Sequence, residues 1–145
     1  MTNKCRACTS FKDLSVGISK EAKDHPDTNT KHKKHLEICP PTKEVLGNAS
    51  WLFLHTMASY FPEKPTDNQR LRINRFIGDF ADLYPCRYCG EHMSSYINEH
   101  PITNDNNKQV AEWTCHLHNE VNELLRKKKF DCNTILESYR YGCDE

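Results

Sequence analysis

The spacing of apolar residues predicts helices over most of this chain. From Cys39 onward apolar residues recur at steps of three and four, and the alternation typical of strands is absent. Prolines and capping residues separate the predicted segments: Thr42 precedes the first and Thr66 the second. The pattern predicts helices over 43–61, from 67 through the apolar positions 71–80, over 86–99, over 108–128, and a short one over 133–139.

The fourth predicted helix has the clearest apolar stripe. Val110, Trp113, Leu117, Val121 and Leu124 follow one another at steps of three and four, which places them on one helix face. We expect that whole stripe to be buried. Four helices joined by short loops predict an all-α fold, a four-helix bundle with a short fifth helix packed across it.

The first 38 residues have a different character. Between Phe11 and Leu36 few residues are apolar, which leaves too little surface to offset the entropy cost of ordering. The sequence therefore predicts a flexible arm over 1–38 and a helical domain over 39–145. The basic cluster Lys31–His35 within that arm is better interpreted as a solvated linker than as a metal or anion site.

Charge and hydropathy exclude several classes of partner. Twenty basic and twenty acidic residues cancel among 145, so nothing favours nucleic acid or a membrane surface. The longest apolar run, 51–54, is far shorter than the ~20 residues of a membrane-spanning helix. The first 30 residues contain no apolar segment typical of a signal peptide, and we expect none to be cleaved.

Cysteine content changes this picture. The chain contains eight cysteines, two pairs of which have the spacing C-x-x-C. They are Cys5, Cys8, Cys39, Cys86, Cys89, Cys115, Cys132 and Cys143. Eight cysteines allow 105 pairings, and spacing alone does not choose among them. So many cysteines indicate an oxidising compartment. Without a secretory signal, the mitochondrial intermembrane space fits best.

The Cys86–Cys89 pair is the main candidate for chemistry. Two cysteines at the start of a helix lie close enough to bridge, and the helix N-terminus stabilises a thiolate. Half of a zinc site and an inert structural disulfide remain alternatives. The second pair, Cys5–Cys8, closes too small a loop to stabilise the fold, which favours a mobile dithiol over a structural bridge.

Two helix faces could bind a flat ligand. In the fourth helix, Cys115, His118 or Asn119, Asn122 and Arg126 recur at helical spacing and could contact one hydrogen-bonding ring. In the first, Trp51 and His55 lie four apart, with Tyr60 further along, and could stack on an aromatic cofactor. A solvated polar face and ordinary core packing are the respective alternatives.

Several short motifs occur in order over residues 5–8 and 39–143. They are Cys5-Arg-Ala-Cys8 followed by Phe11-Lys12, Cys39-Pro-Pro41, Gly47 to Trp51, Leu54 to Ala58, Tyr60 to Thr66, Phe76-Ile77, Tyr84-Pro-Cys86-x-x-Cys89, Trp113-x-Cys115-x-x-His118-Asn119-x-Val121-Asn122, and Phe130-Asp-Cys132. In their order and spacing these motifs resemble the FAD-linked sulfhydryl oxidase family.

The resemblance implies a dimer of FAD-binding helical bundles and a role for each cysteine pair. Cys86–Cys89 would be the active disulfide beside the flavin, Cys115–Cys132 a structural bridge, Cys39–Cys143 a bridge between subunits, and Cys5–Cys8 a shuttle. The implied FAD contacts are Lys43, Gly47, Trp51, His55, Tyr60, Cys115, His118, Asn119, Val121, Asn122, Lys127 and Tyr139. Tyr139 is included among these contacts because Ser138-Tyr139 occupies the position at which the family has an Arg-Trp pair.

The activity that the resemblance implies is oxidation of protein thiols to disulfides. Electrons would pass from Cys5/Cys8 to Cys86/Cys89, then to FAD and on to oxygen or cytochrome c. The expected substrates are protein thiols, including those of an import oxidoreductase of the intermembrane space, and no metal is expected. The alternatives are a zinc-binding interaction module and a flavin-free disulfide carrier.

Overall fold

The computed structural model describes residues 40–141. The predictions that concern Cys5, Cys8, Cys39, Cys143 and the cluster Lys31–His35 therefore lie outside the described residues. The described part folds into five helices, α1 Lys43–Ser59, α2 Asp67–Asp82, α3 Arg87–Glu99, α4 Asn107–Leu124 and α5 Ile135–Arg140. Residues 40–141 contain no strand, which confirms the all-α prediction.

Side-chain caps explain where three of the helices begin. The Thr42 hydroxyl accepts from the backbone N–H of Val45 and starts α1 where the sequence predicted. Thr66 and Gln69 form a reciprocal capping box at α2. Asn106 caps α4 by accepting from the backbone N–H of Gln109, so the helix begins at Asn107, one residue before the predicted start.

Two predicted helix ends were too late. The first helix ends at Ser59 rather than at position 61, ahead of the ring of Pro62. The fourth ends at Leu124 rather than at 128, because Arg126 has a positive φ of 53°, a left-handed conformation that stops a helix.

The helices pack in a layer order that the sequence did not specify. Helix α1 packs against α4 and α5, α4 also contacts α5, and α2 packs against α3. Val110, Trp113 and Leu117 of the predicted stripe are buried in this core. Val121 is only half-buried, and Leu124 is 54% exposed because its helix ends there. The prediction of a fully buried stripe was wrong at Leu124.

A close approach fixes the α2–α3 pair. Gly90 in α3 lies so near the carbonyl oxygen of Ala81 in α2 that an added Cβ would clash with it. Any larger residue at position 90 would push the two helices apart. Among residues 40–141, no helix has the length and apolar content required to span a membrane.

Candidate functional site

An aromatic cluster joins α1, α4 and the segments that follow α4. Trp51 stacks on His118 with ring centroids 4.1 Å apart and planes 7° from parallel. On the other side, His55 stacks on Tyr139 at 4.8 Å. Phe130 closes the cluster, with its ring centroid 4.9 Å from that of His118. The structure thus brings together four predicted cofactor contacts, Trp51, His55, His118 and Tyr139.

The two histidines of this cluster are bonded to each other. Nε2 of His55 and Nδ1 of His118 are 2.9 Å apart, so one of the two nitrogens donates and the other accepts. Burial lowers the pKa of His55 to about 4, with a further contribution from His118. Burial also lowers the pKa of His118 to about 4, and the charge of Lys127 adds to the effect. At neutral pH both rings are therefore uncharged.

Three buried polar atoms near this cluster lack a hydrogen-bond partner among the described residues. They are Nδ1 of His55, Oγ of Ser59 and Nδ2 of Asn122. A buried polar group without a partner costs about 1–3 kcal/mol, so such groups point to a ligand that is held there. His55 and Asn122 come from α1 and α4, the two helices that the sequence predicted to contribute to one site.

Asn119 is fully used by the protein. Its side-chain oxygen accepts from the backbone N–H of Phe130 at 2.8 Å, and its amide donates to the carbonyl of the same residue at 2.9 Å. These two hydrogen bonds hold the segment after α4 against the helix and set the position of Phe130. Asn119 therefore helps to shape the aromatic cluster. On the side that faces Phe130, its side-chain amide already donates to the protein.

The redox candidate lies at the start of α3. Cys86 and Cys89 form a disulfide with Cα atoms 5.3 Å apart, and Cys86 is the N-cap residue of the helix. Just before it, the hydroxyl of Tyr84 donates to Oγ of Ser50 at 3.2 Å. Ser50 precedes Trp51 in α1. The bond thus connects the disulfide turn to α1, at the residue before Trp51.

A second disulfide braces the end of the aromatic cluster. Cys115 and Cys132 are bridged across 17 residues with Cα atoms 5.6 Å apart, and Cys115 is fully buried. The bridge ties α4 to the segment that leads into α5, which carries Tyr139.

The remaining predicted contacts lie at the edges. Gly47 is half-buried in α1 and Lys43 is exposed at its first residue, while Val121 is half-buried and Lys127 exposed near the end of α4. Tyr60 caps α1, and its hydroxyl donates to the carbonyl of Arg140 at 3.4 Å. The prediction that Arg126 belongs to the polar face of this helix was wrong, because Arg126 lies beyond the helix in a left-handed conformation.

Sequence reasoning did not assign three residues of the site. Phe130 belongs to the aromatic cluster, and Tyr84 and Ser50 connect that cluster to the disulfide turn. Phe130 and Tyr84 each stand two residues before a bridged cysteine, which is the signal that could have found them. Ser50 carries no comparable signal, because one serine on a helix resembles any other.

An open groove between α3 and α4 has a volume of about 620 Å³. Its walls include Tyr96, Trp113 and Glu120, and only Asn119 belongs to the predicted contacts. The groove therefore does not coincide with the aromatic cluster.

Comparison with known proteins agrees with this arrangement. The Erv1 / Alr family model matches residues 48–140, a range that contains both disulfides and the aromatic cluster. The chain belongs to the Erv1 / Alr family.

Two relatives from Saccharomyces cerevisiae illustrate the extent of the match. FAD-linked sulfhydryl oxidase ERV2 is 43% identical over 103 residues, which cover 71% of this chain and 53% of that protein. Mitochondrial FAD-linked sulfhydryl oxidase ERV1 is 36% identical over 113 residues, 78% of this chain and 60% of that protein. The chain thus spans little more than half the length of these members of the Erv1 / Alr family.

The fold is shared as well. The crystal structure of the FAD binding domain of Erv1 from Saccharomyces cerevisiae superposes with a TM-score of 0.70 at 36% identity, covering 72% of this chain and all of that one. The described helices of this chain therefore share the fold of that domain.

Proposed function

We propose that this protein is an FAD-dependent sulfhydryl oxidase that converts protein thiols into disulfides. The observation that carries the proposal is the hydrogen bond between Tyr84 and Ser50, which connects the turn before the Cys86–Cys89 disulfide to the α1 residue that precedes Trp51. A reducible bond connected in this way to the helix of a hydrogen-bonding aromatic cluster suits thiol-to-flavin electron transfer. Relatives named FAD-linked sulfhydryl oxidases support the same activity.

The aromatic cluster fits FAD. Trp51, His118 and Tyr139 offer flat faces for stacking, and the unpartnered atoms of His55 and Asn122 can bond the edge of a heteroaromatic ring. Around them, Lys43 and Lys127 supply exposed positive charge for phosphates, while Gly47, Tyr60, Cys115, Asn119 and Val121 flank the same segments. The similarity to the crystal structure named as the FAD binding domain of Erv1 supports this assignment.

The two cysteines of the redox pair have different roles. We assign Cys86 as the sulfur that an incoming thiolate attacks, because it lies ahead of the helix, and Cys89 as the thiolate that is released. FAD, when bound, accepts the two electrons and supplies the route to oxygen or cytochrome c. Cys115–Cys132 stabilises the fold and takes no part in electron transfer.

Upstream of this pair we place a relay. Two substrate thiols reduce the Cys5–Cys8 disulfide by successive exchanges and become a disulfide themselves, and the resulting Cys5/Cys8 dithiol reduces Cys86–Cys89 in the same way. The proposed substrates are protein thiols, including those of an import oxidoreductase.

A relative named mitochondrial FAD-linked sulfhydryl oxidase ERV1 supports a mitochondrial location, and we place the protein in the intermembrane space. Fractionation of mitochondria with selective rupture of the outer membrane tests this placement; retention with the matrix contradicts it.

We further propose a homodimer in which Cys39 of one subunit bridges to Cys143 of the other. Cys39 precedes α1, whose Val45, Leu52 and Phe53 are more than half exposed, and burying these side chains against a second copy would be favourable. Light scattering should give twice the mass of the chain. Cys39→Ser should remove the covalent link in denaturing gels, and a monomeric mass for the unaltered protein contradicts the proposal.

The absorption spectrum of the purified protein tests the central claim. A yellow protein with an oxidised flavin spectrum supports the oxidase, whereas a colourless one that releases zinc on thiol modification supports the zinc module. Cys89→Ser should keep the flavin bound and abolish turnover. Flavin reduction by dithiothreitol at an undiminished rate in that variant refutes the assigned route. The Cys86–Cys89 disulfide already weighs against zinc, since it leaves no thiolate at this turn.

A further inference from the structure

The segment 124–129, which we call the basic loop, lies exposed at the end of α4. Leu124 is the last residue of that helix and is 54% exposed, and Leu125 after it is 58% exposed. The next four residues, 126–129, are all basic and all exposed. A single exposed leucine is ordinary, but two adjacent ones beside four cations form a mixed surface that suits a particular kind of partner.

The basic loop is held at both ends by the protein itself. Near its start, the backbone N–H of Lys127 donates to the carbonyl of Asn122 at 2.8 Å. Just beyond its end, Phe130 is bonded twice to Asn119, and the Cys115–Cys132 disulfide follows two residues later. The leucines and cations therefore lie on a turn that is already ordered, so little conformational entropy is lost when a partner covers them.

The positive charge of the basic loop is mostly not neutralised by the protein. Lys129 pairs with Glu123, whereas Arg126, Lys127 and Lys128 form no ion pair within residues 40–141. Four cations and one carboxylate give the segment 123–129 a net charge of +3, although the whole chain has a net charge of zero. The net charge of the chain thus conceals a local excess that attracts an anionic partner.

The leucines and the cations together select among anionic partners. A nucleic acid would bind the cations and leave the leucines in water. A second copy of the basic loop would bring like charges together. An anionic lipid bilayer offers phosphate groups to the cations and an apolar layer beneath those groups to the leucines. Only the bilayer uses both features of this surface.

We propose that the basic loop is a docking surface for an anionic membrane, with Leu124 and Leu125 inserted among the lipid headgroups and Arg126 and Lys128 against the lipid phosphates. The inference goes beyond thiol oxidation and does not rest on it. Binding of this kind is peripheral and needs no membrane-spanning helix. Lys127 is left out of the surface because its charge lowers the pKa of His118, which places it beside the aromatic cluster.

Flotation of the full chain with lipid vesicles tests the proposal. Vesicles of phosphatidylcholine with about 30% phosphatidylglycerol should carry the protein upwards in a density gradient, and vesicles of phosphatidylcholine alone should not. Raising the salt from about 0.1 M to about 0.5 M should weaken the binding, because salt screens the cations. Lys128→Gln and Leu125→Ser should each lower the vesicle partition coefficient about fivefold, the first by removing a charge and the second by removing apolar burial.

Helix α2 supplies matched control variants. Leu71 is 67% exposed and is followed by the exposed Arg72, so Leu71→Ser and Arg72→Gln make the same chemical changes away from the basic loop. Both should partition like the unaltered protein, and thermal unfolding checks that every variant remains folded.

Three results would overturn the proposal. The first is equal losses in the α2 and basic-loop variants. The second is a loss in Lys128→Gln with none in Leu125→Ser, which would show a surface for polyanions without insertion. The third is binding of single-stranded RNA by the unaltered protein without binding of anionic vesicles, which would assign the cations to nucleic acid. Turnover with dithiothreitol is measured separately, and its loss or retention bears on the oxidase and not on the membrane surface.

Discussion

The hydroxyl of Tyr84 donates a hydrogen bond to Oγ of Ser50, and the Ser50 hydroxyl donates onward to the carbonyl of Leu46 at 2.8 Å. The two bonds connect the turn before the Cys86–Cys89 disulfide to the helix that carries Trp51 and His55. Neither bond is part of a helix ladder. Their removal should therefore change the placement of the redox pair more than the stability of the fold.

Tyr84→Phe tests this positioning role. The variant keeps the ring, which packs 5.5 Å from that of Phe80, and loses only the bond to Ser50. We expect unchanged FAD affinity and a flavin reduction rate with dithiothreitol that falls about tenfold. The free energy of unfolding should fall by only about 1 kcal/mol, the usual value for one hydrogen bond. Stopped-flow absorbance and urea unfolding measure the two quantities.

Ser50→Ala removes the other partner and should reduce the rate to the same extent. In the double variant the two effects on the rate should not add, because both changes delete the same Tyr84–Ser50 hydrogen bond. Additive effects, or a loss of flavin affinity equal to the loss of rate, would contradict a positioning role.

Gly90→Ala should separate α2 from α3. The added Cβ meets the backbone carbonyl oxygen of Ala81, which cannot move without shifting α2. Overpacking of this kind costs about 1–3 kcal/mol. Gly78→Ala in α2 is the control: a Cβ there has open space, and an alanine in a helix is favoured over glycine by about 1 kcal/mol. Thermal unfolding should thus shift in opposite directions, and a neutral Gly90→Ala would refute the close approach.

Local signals explain why the elements could be predicted from sequence. Thr42 and Thr66 cap helices by short-range bonds to residues three positions on, so the sequence contains both partners. The end of α4 was mispredicted because the left-handed conformation of Arg126 is favoured by no residue type present there. Leu124 was expected in the core for the same reason.

The site depended on contacts between distant residues. Trp51 and His118 stack although 67 positions separate them in the sequence, and helical spacing predicts which face each occupies but not which face meets which. The pairing of His55 with His118 could not be predicted, since it depends on the distance between α1 and α4. The sequence also could not predict that Asn119 bonds the segment after α4, because a side-chain amide at this position could equally well bond a ligand.

Loss of the Cys115–Cys132 bridge should destabilise the protein without removing the redox pair. A loop of this length contributes about 3 kcal/mol through the entropy of the unfolded chain. The variant Cys115→Ala/Cys132→Ala should unfold at lower urea concentration and bind FAD more weakly, as the segment with Phe130 loosens. Its Cys86–Cys89 pair should still react with dithiothreitol. A loss of that reaction at temperatures where the fold is intact would assign electron transfer to the second bridge.

The paired histidines should make the protein sensitive to mild acid. The pKa of each is lowered from 6.5 to about 4 in the folded state, so between these values the unfolded chain binds more protons. The free energy of unfolding should therefore fall as the pH drops from 6.5 towards 4, and the pair should contribute no pH dependence above this window. Urea unfolding of the FAD-free protein from about pH 4 to about pH 7.5, which covers the window between the two pKa values and the region above it, measures the slope.

His118→Asn should flatten that slope. It removes one titrating ring outright, and it takes away the neighbour whose charge adds to the lowered pKa of His55. The control His116→Gln lies on the same helix with its ring exposed to solvent, so its loss leaves the buried pair intact. If the slope survives in His118→Asn, the acid sensitivity comes from carboxylates and not from the pair. If it disappears in both variants, burial does not distinguish His116 from His118, and the neutral histidine pair at the aromatic cluster is refuted.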